Sequence, residues 1–168
     1  MMSLQRITTE FIDAEDRIRL AGENASGQTV VLWLSQRMLN RLIPHLCQWL
    51  SKQMGTTLLA EVKQEFAQQK ARAELEPQQS VRVDAGAQGV LVPSVTLKPA
   101  RSTMKLQFKD ADGNVVASLQ LQPKPLRQWL NIVYDQYLRA GWPSTIWPAW
   151  VAEAKPAHSE GRGAAVLH

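Results

Sequence analysis

Chemistry in this chain of 168 residues would have to be built from very few reactive side chains. The histidines are His45, His158 and His168, and the one cysteine is Cys47. His45 and Cys47 stand two residues apart inside a helical pattern, which puts them on different faces, so they cannot clamp one zinc ion together. Cys47 lies in the apolar run Leu46-Cys47-Gln48-Trp49-Leu50 and reads as a small buried hydrophobe. A lone cysteine also argues against a disulfide scaffold and for a reducing compartment. Asp110, Asp112 and Asn114 open like a calcium loop, which needs a carboxylate at its twelfth position. That position is Leu121, and Asp-Gly between two alternating runs is hairpin chemistry. Glu10, Asp13, Glu15 and Asp16 could supply a general acid and base, but such carboxylates need a cleft, and a turn between strands is solvated. Neither glycine-rich phosphate motif occurs, and Ala25-Ser26-Gly27 lacks the spacing of a nucleophile elbow. The reading is therefore a protein that is not an enzyme, with no catalytic, cofactor-binding or metal-binding residues and no cofactor.

Two surface features rise above this background. Lys98, Arg101, Lys105, Lys109 and Lys124 form a basic set on the later strands. Lys105 and Lys109 share one strand face, with Met104, Leu106 and Phe108 on the other, and a lysine ladder of this kind can track phosphates. Lysines also decorate solvated faces and edge strands, and no aromatic alternates with these to stack on bases. Trp142, Trp147 and Trp150 stand in nine residues between Pro143 and Pro148 and beyond. They either fold back over the open end of the core or form an exposed partner anchor, and covering the core is the favoured reading.

The elements that must position these residues follow from periodicity. Ile7, Thr9 and Phe11 alternate, Asp13–Asp16 turns, and Ile18 and Leu20 resume, giving a hairpin over residues 4–22. After the turn Asn24-Ala25-Ser26-Gly27, the run Thr29–Leu34 is apolar on both faces, as in a covered central strand. Met38, Leu39, Leu42, Ile43, Leu46, Trp49 and Leu50 then recur at helical spacing behind a Ser35 cap, with a kink or two abutting helices expected at Pro44 and a stop at Gly55. A second helix is expected from about Thr57 to Leu75, packing through Leu58, Leu59, Val62 and Phe66 and continuing as a solvated, mobile arm. Val81 and Val83 begin another strand, Gly86 to Gly89 turns, and Val90–Leu97 forms one strand interrupted at Pro93, placed at an edge or bulge. Residues 104–121 form the clearest hairpin, and a last helix carries Leu126, Trp129, Leu130, Val133, Tyr137 and Leu138 before Gly141.

This order predicts an α+β fold: an antiparallel sheet, sandwich or partly open barrel of about seven strands, with an inserted helical hairpin and a C-terminal helix. It forms one domain over residues 1–151, followed by a flexible tail over 152–168. The element order is similar to the head domain of the end-joining scaffold proteins of DNA repair, where a small β-sandwich also holds a helical insertion and leads into a helix. That likeness is one of order alone, and fold does not fix function. Composition is ordinary for a globular protein, at 45% hydrophobic and 20% charged residues, which excludes disorder as the default. The net charge of +4 is uneven: residues 1–34 carry three Arg against five acids, and residues 77–125 carry six Lys or Arg against three Asp. No apolar stretch is long enough to span a bilayer and no signal peptide precedes the first strand, so a soluble cytoplasmic protein, bacterial by default, is expected. The functional expectation is a non-enzymatic interaction or scaffold module that binds a protein partner or itself, as a dimer. The alternative is an accessory nucleic-acid binder using the basic strand face. Neither a membrane nor a metal is expected as a partner.

Overall fold

Alternation of apolar and polar residues builds the first half of the sheet in the computed structural model, which describes residues 1–84 and 87–154. Strands β1 (Met2–Ile12) and β2 (Arg17–Asn24) form the expected antiparallel hairpin. Between them, a single turn of 3-10 helix at Asp13–Glu15 is closed by Asp16 in the left-handed region at φ 51°. β3 (Thr29–Leu34) follows a turn in which Asn24 Oδ1 accepts from the amides of Ser26 and Gln28 at 3.0 and 2.9 Å. Ile18, Leu20, Leu32 and Leu34 face the core and are fully buried.

The period then changes. Helix α1 (Gln36–Met54) starts where the Ser35 hydroxyl accepts from the Met38 amide at 3.2 Å, and it ends at Gly55. Its buried stripe is Met38, Leu39, Leu42, Ile43, Leu46, Cys47 and Leu50, while Trp49 is half-buried. The helix runs unbroken through Pro44, so two abutting helices do not form. Pro44 lies on the exposed side, away from the stripe that packs, and those core contacts hold the helix together across it.

Residues 81–84 carry no strand, contrary to the alternation of Val81 and Val83. Val81 is buried as a single plug, its amide donating to Thr8 Oγ1 at 2.8 Å. Residue 86, in the expected turn, lies outside the described residues. The interrupted strand is really two elements, β4 (Val90–Leu91) and β5 (Ser94–Pro99). They lie at opposite ends of a seven-stranded sheet of order β4-β3-β2-β1-β7-β6-β5, with β6 (Met104–Lys109) and β7 (Val115–Leu121) as the second antiparallel hairpin. Three peptide steps separate Leu91 from Ser94, so the two edges approach within about 11 Å at this corner. The sheet is therefore curled into a half-barrel. It is also mixed and not purely antiparallel: β1 meets β7 in parallel at Met2↔Ala117 and Ser3↔Ser118, and β3 meets β4 in parallel at Leu32↔Val90 and Trp33↔Leu91.

Helix α3 (Pro123–Ala140) fills the concave side with Leu126, Trp129, Leu130, Val133 and Tyr137, while Leu138 points out. It ends in a Schellman motif, in which the Gly141 amide reaches the Leu138 carbonyl at 3.2 Å and the Trp142 amide reaches the Tyr137 carbonyl at 3.1 Å. Gly141 has φ 70°, a conformation that favours glycine. The motif turns the chain back and sets the Trp142 ring edge-on to Tyr137, with centroids 5.1 Å apart. A short helix α4 (Ala149–Ala152) follows, and Ala154 is still buried. The remainder of the expected tail, residues 155–168 with His158 and His168, lies outside the described residues. Among the described residues, no helix is long and apolar enough to cross a membrane.

Candidate interaction surface

Helix α2 (Ala60–Ala73) packs against α3, α1 and α4, and it does so with its polar side. Gln64, Gln68 and Ala71 are its buried residues. The reason lies on α3, which presents Arg127 and Asn131, both buried, and Asp135, partly buried, at one-turn intervals toward it. Arg127 donates to Gln64 Oε1 and, at 3.3 Å, to Gln68 Oε1. Gln68 Nε2 donates to the Arg127 carbonyl at 2.8 Å and to Asn131 Oδ1, and Asn131 Nδ2 continues to the Val151 carbonyl at 3.3 Å. Gln64 Nε2 reaches Ser51 Oγ on α1 at 3.0 Å. Arg72 bridges both oxygens of Asp135 at 3.2 Å. A buried polar group without a partner costs about 1–3 kcal/mol, so this interlocked set fixes which side of α2 faces inward.

Burial shapes the electrostatics of this layer. It lowers the Arg127 guanidinium to about 10, still charged at neutral pH, and the charge is met by amide oxygens and by the ring of Trp150, whose centroid lies 5.4 Å away. Burial also raises the Asp135 carboxyl above its ordinary value, against the pull of Arg72 and Arg139. Nearby Cys47 is buried, and its thiol is pushed up to about 12 by loss of solvent, with Arg127 pulling the other way.

The outward side of α2 carries Val62 and Phe66 between charged residues, and the turn before the helix adds Leu58 and Leu59. Leu58 is 99% exposed, Phe66 67%, Leu59 63% and Val62 61%. These are the side chains that the sequence pattern assigns to packing, so the helix is turned over relative to expectation. Its second half is no solvated arm either, since Gln68 and Ala71 are buried and Arg72 is held by Asp135. At the root of α2 a cleft of about 420 Å³ is lined by Ser51, Met54, Glu61, Gln64, Glu65 and Trp150.

The other candidate residues separate into distinct places. Lys98 and Lys105 are directly opposed across β5 and β6, and Lys109 is opposed to Ser94 further along the same face. Arg101 is exposed in the connection between these strands. Lys124 is apart from them in chemistry, because its amine bridges Glu74 at 3.1 Å. Trp142 and Trp147 are 8% and 7% exposed, inside the chain's own core, so neither can serve as an exposed anchor. Trp147 sits edge-on to Tyr134 and Tyr137 at 5.3 and 5.2 Å, and Trp142 Nε1 donates to Asp16 Oδ1 at 3.3 Å. Trp150 is half-buried beside Arg127.

The acidic turn is occupied in ion pairing: Glu15 bridges Arg17 at 2.8 Å and Glu10 pairs with Arg19. Asp110 Oδ1 accepts from the amides of Asp112 and Asn114, both at 2.9 Å, so it serves its own hairpin turn. His45 is exposed while Cys47 is buried, as their spacing on α1 requires. Among the described residues, no group of three or more histidine, cysteine or acidic side chains could hold a metal ion. Comparison of the chain with protein-family models, with curated proteins and with solved structures gives no match.

Proposed function

We propose that this protein is a non-enzymatic interaction module that docks a protein through the outward face of α2. One observation carries the reading: α2 turns Gln64 and Gln68 inward and leaves Val62 and Phe66 in solvent, next to Leu58 and Leu59 in the turn before it. A helix with only water outside would gain by the reverse orientation, because burying each of those side chains is worth about 1.5–3 kcal/mol. Soluble chains seldom present a contiguous apolar stripe unless another surface covers it. Phe66→Glu and Val62→Glu test this. Both side chains are mostly exposed, so thermal stability should stay within about 0.5 kcal/mol of the parent. Association, read by sedimentation and by retention of proteins from the native lysate, should be lost. Association unchanged in both variants would overturn the reading.

A second reading has its own observation. Lys98 and Lys105 face each other across β5 and β6, and among the described residues neither makes an ion pair. Like charges directly opposed destabilise a sheet unless an anion lies over them. Binding of single- or double-stranded nucleic acid by this face should weaken steeply with salt, and should fall further in Lys98→Glu/Lys105→Glu. A mobility shift indifferent to salt, or none at low ionic strength, would eliminate it.

A further inference from the structure

The charges beside the apolar stripe of α2 indicate what covers it. Successive residues of an α-helix are rotated by about 100°. This sets Lys63 and Lys70 along one edge of the Val62–Phe66 stripe, and Glu61 and Glu65 along the other. All four are exposed, and among the described residues none of them makes an ion pair. One edge is thus positive and the other negative, with an apolar centre between them.

We infer that the partner is a second copy of this chain, with the two α2 helices side by side and parallel about a two-fold axis running along them. The inference rests on the reading of α2 as the docking surface. A two-fold contact places the same patch on both copies, so the patch must complement itself. In the parallel arrangement the lysine edge of each helix meets the acidic edge of its partner. Lys63 then faces the partner's Glu65 twice, offset by two residues or about 3 Å along the axis. In the antiparallel arrangement lysine edge meets lysine edge and acid meets acid, which repels. Val62 and Phe66, one turn apart, supply the shared apolar centre, with Leu58 and Leu59 at its N-terminal end. A stable interface usually buries about 800 Å² per partner. Four large apolar side chains fall below that, so the dimer should dissociate on dilution at about micromolar concentration.

Sedimentation of the full chain tests this over a concentration series spanning about 1–500 μM. The parent should pass from monomer to dimer, and Phe66→Glu should stay monomeric with an unchanged melting temperature. Lys63→Glu and Glu65→Lys should each weaken the dimer by about tenfold, since each puts like charges on both edges. Mixed together, they should form a heterodimer at least as tight as the parent dimer. Ala73→Cys, in line with the stripe at the C-terminal end of α2, should form a disulfide with its own copy upon oxidation. Lys63→Glu that dimerises like the parent, or Ala73→Cys that fails to crosslink within a dimer sensitive to Phe66, would overturn the parallel two-fold. A parent that stays monomeric throughout yet retains another protein through Phe66 would overturn the second copy as occupant and leave the docking surface standing. A dimer indifferent to Phe66→Glu and Val62→Glu would overturn both.

Discussion

Replacing Trp147 with alanine should remove about 3 kcal/mol of stability, near the lower end of the range for a buried aromatic. Trp147 is 7% exposed and stands edge-on to both Tyr134 and Tyr137. Each such pair contributes about 0.5–1.5 kcal/mol beyond area burial. One term opposes these. Trp147 Nε1 is buried with no hydrogen-bond partner among the described residues, at a cost of about 1–3 kcal/mol that the alanine variant recovers. Trp147→Phe isolates that term, since it keeps a ring against the tyrosines and deletes the N–H. It should cost less than about 1.5 kcal/mol. Trp150→Ala should cost about 1 kcal/mol, because Trp150 is half-buried and holds mainly the Arg127 guanidinium over its ring. Urea titration reads all three. With a slope of about 2 kcal/mol per molar, Trp147→Ala moves the midpoint down by about 1.5 M. A shift below about 0.5 M for Trp147→Ala, or a larger one for Trp150→Ala, would refute the view that Trp147 seals the core.

Other perturbations probe separate parts of the fold. Cys47 should resist alkylation at pH 8 in the native protein and react fully in denaturant, because its buried thiol is pushed up to about 12. Its folded pKa lies above its ordinary value near 9, so its contribution to stability is complete below pH 9 and is lost as pH rises through 12. The parent should therefore lose stability relative to Cys47→Ala across that window by about 1.4 kcal/mol per pH unit, measured as the difference between their denaturation midpoints. Arg127→Ala strands the oxygens of Gln64 and Gln68, costs roughly 2–4 kcal/mol, and should raise hydrogen exchange in α2 before that in α3. At Gly89, an added Cβ would lie 2.1 Å from Trp33 Nε1, so Gly89→Ala must displace that ring from beneath Arg17; near-ultraviolet circular dichroism should report the loss.

Local chemistry was legible in the sequence wherever both partners of an interaction are close in the chain. The Asp13–Asp16 and Asp110–Asn114 turns, the Ser35 cap and the Gly141 stop each need only a few neighbouring residues, and each forms as expected. The buried stripe of α1 is likewise one uninterrupted periodic signal. The orientation of α2 was not legible, for a definite reason. Periodicity defines two faces of a helix, but the inward one is chosen by what it meets. Here that choice belongs to Arg127, Asn131 and Asp135, about sixty residues downstream. The separation of β4 from β5 was hidden in the same way: Pro93 signals a break, while the ladders that carry the two strands to opposite edges are made with β3 and β6. Of the candidate site, the tryptophans and lysines were visible as residue types. The apolar stripe of α2 was visible too, but assigned to the interior.

The corner at Val92 and Pro93 also determines how this half-barrel is closed. One half-sheet is β4-β3-β2-β1 and the other β7-β6-β5, with long ladders inside each except at β3–β4, which pairs at Leu32↔Val90 and Trp33↔Leu91. Among the described residues, the sheet's own links between them are the two residue pairs of the β1–β7 seam on one side and the covalent corner on the other, while α3 packs across both β1 and β7 behind the seam. Val92 is fully buried, and its amide is held by the Trp33 carbonyl at 3.0 Å, so the corner is anchored as well as continuous. The ring of strands is thus closed by a buried, continuous corner at one end and by a short seam at the other. Loss of the pairing of Met2 and Ser3 with Ala117 and Ser118 would therefore open the ring of strands at one place and leave every hairpin intact.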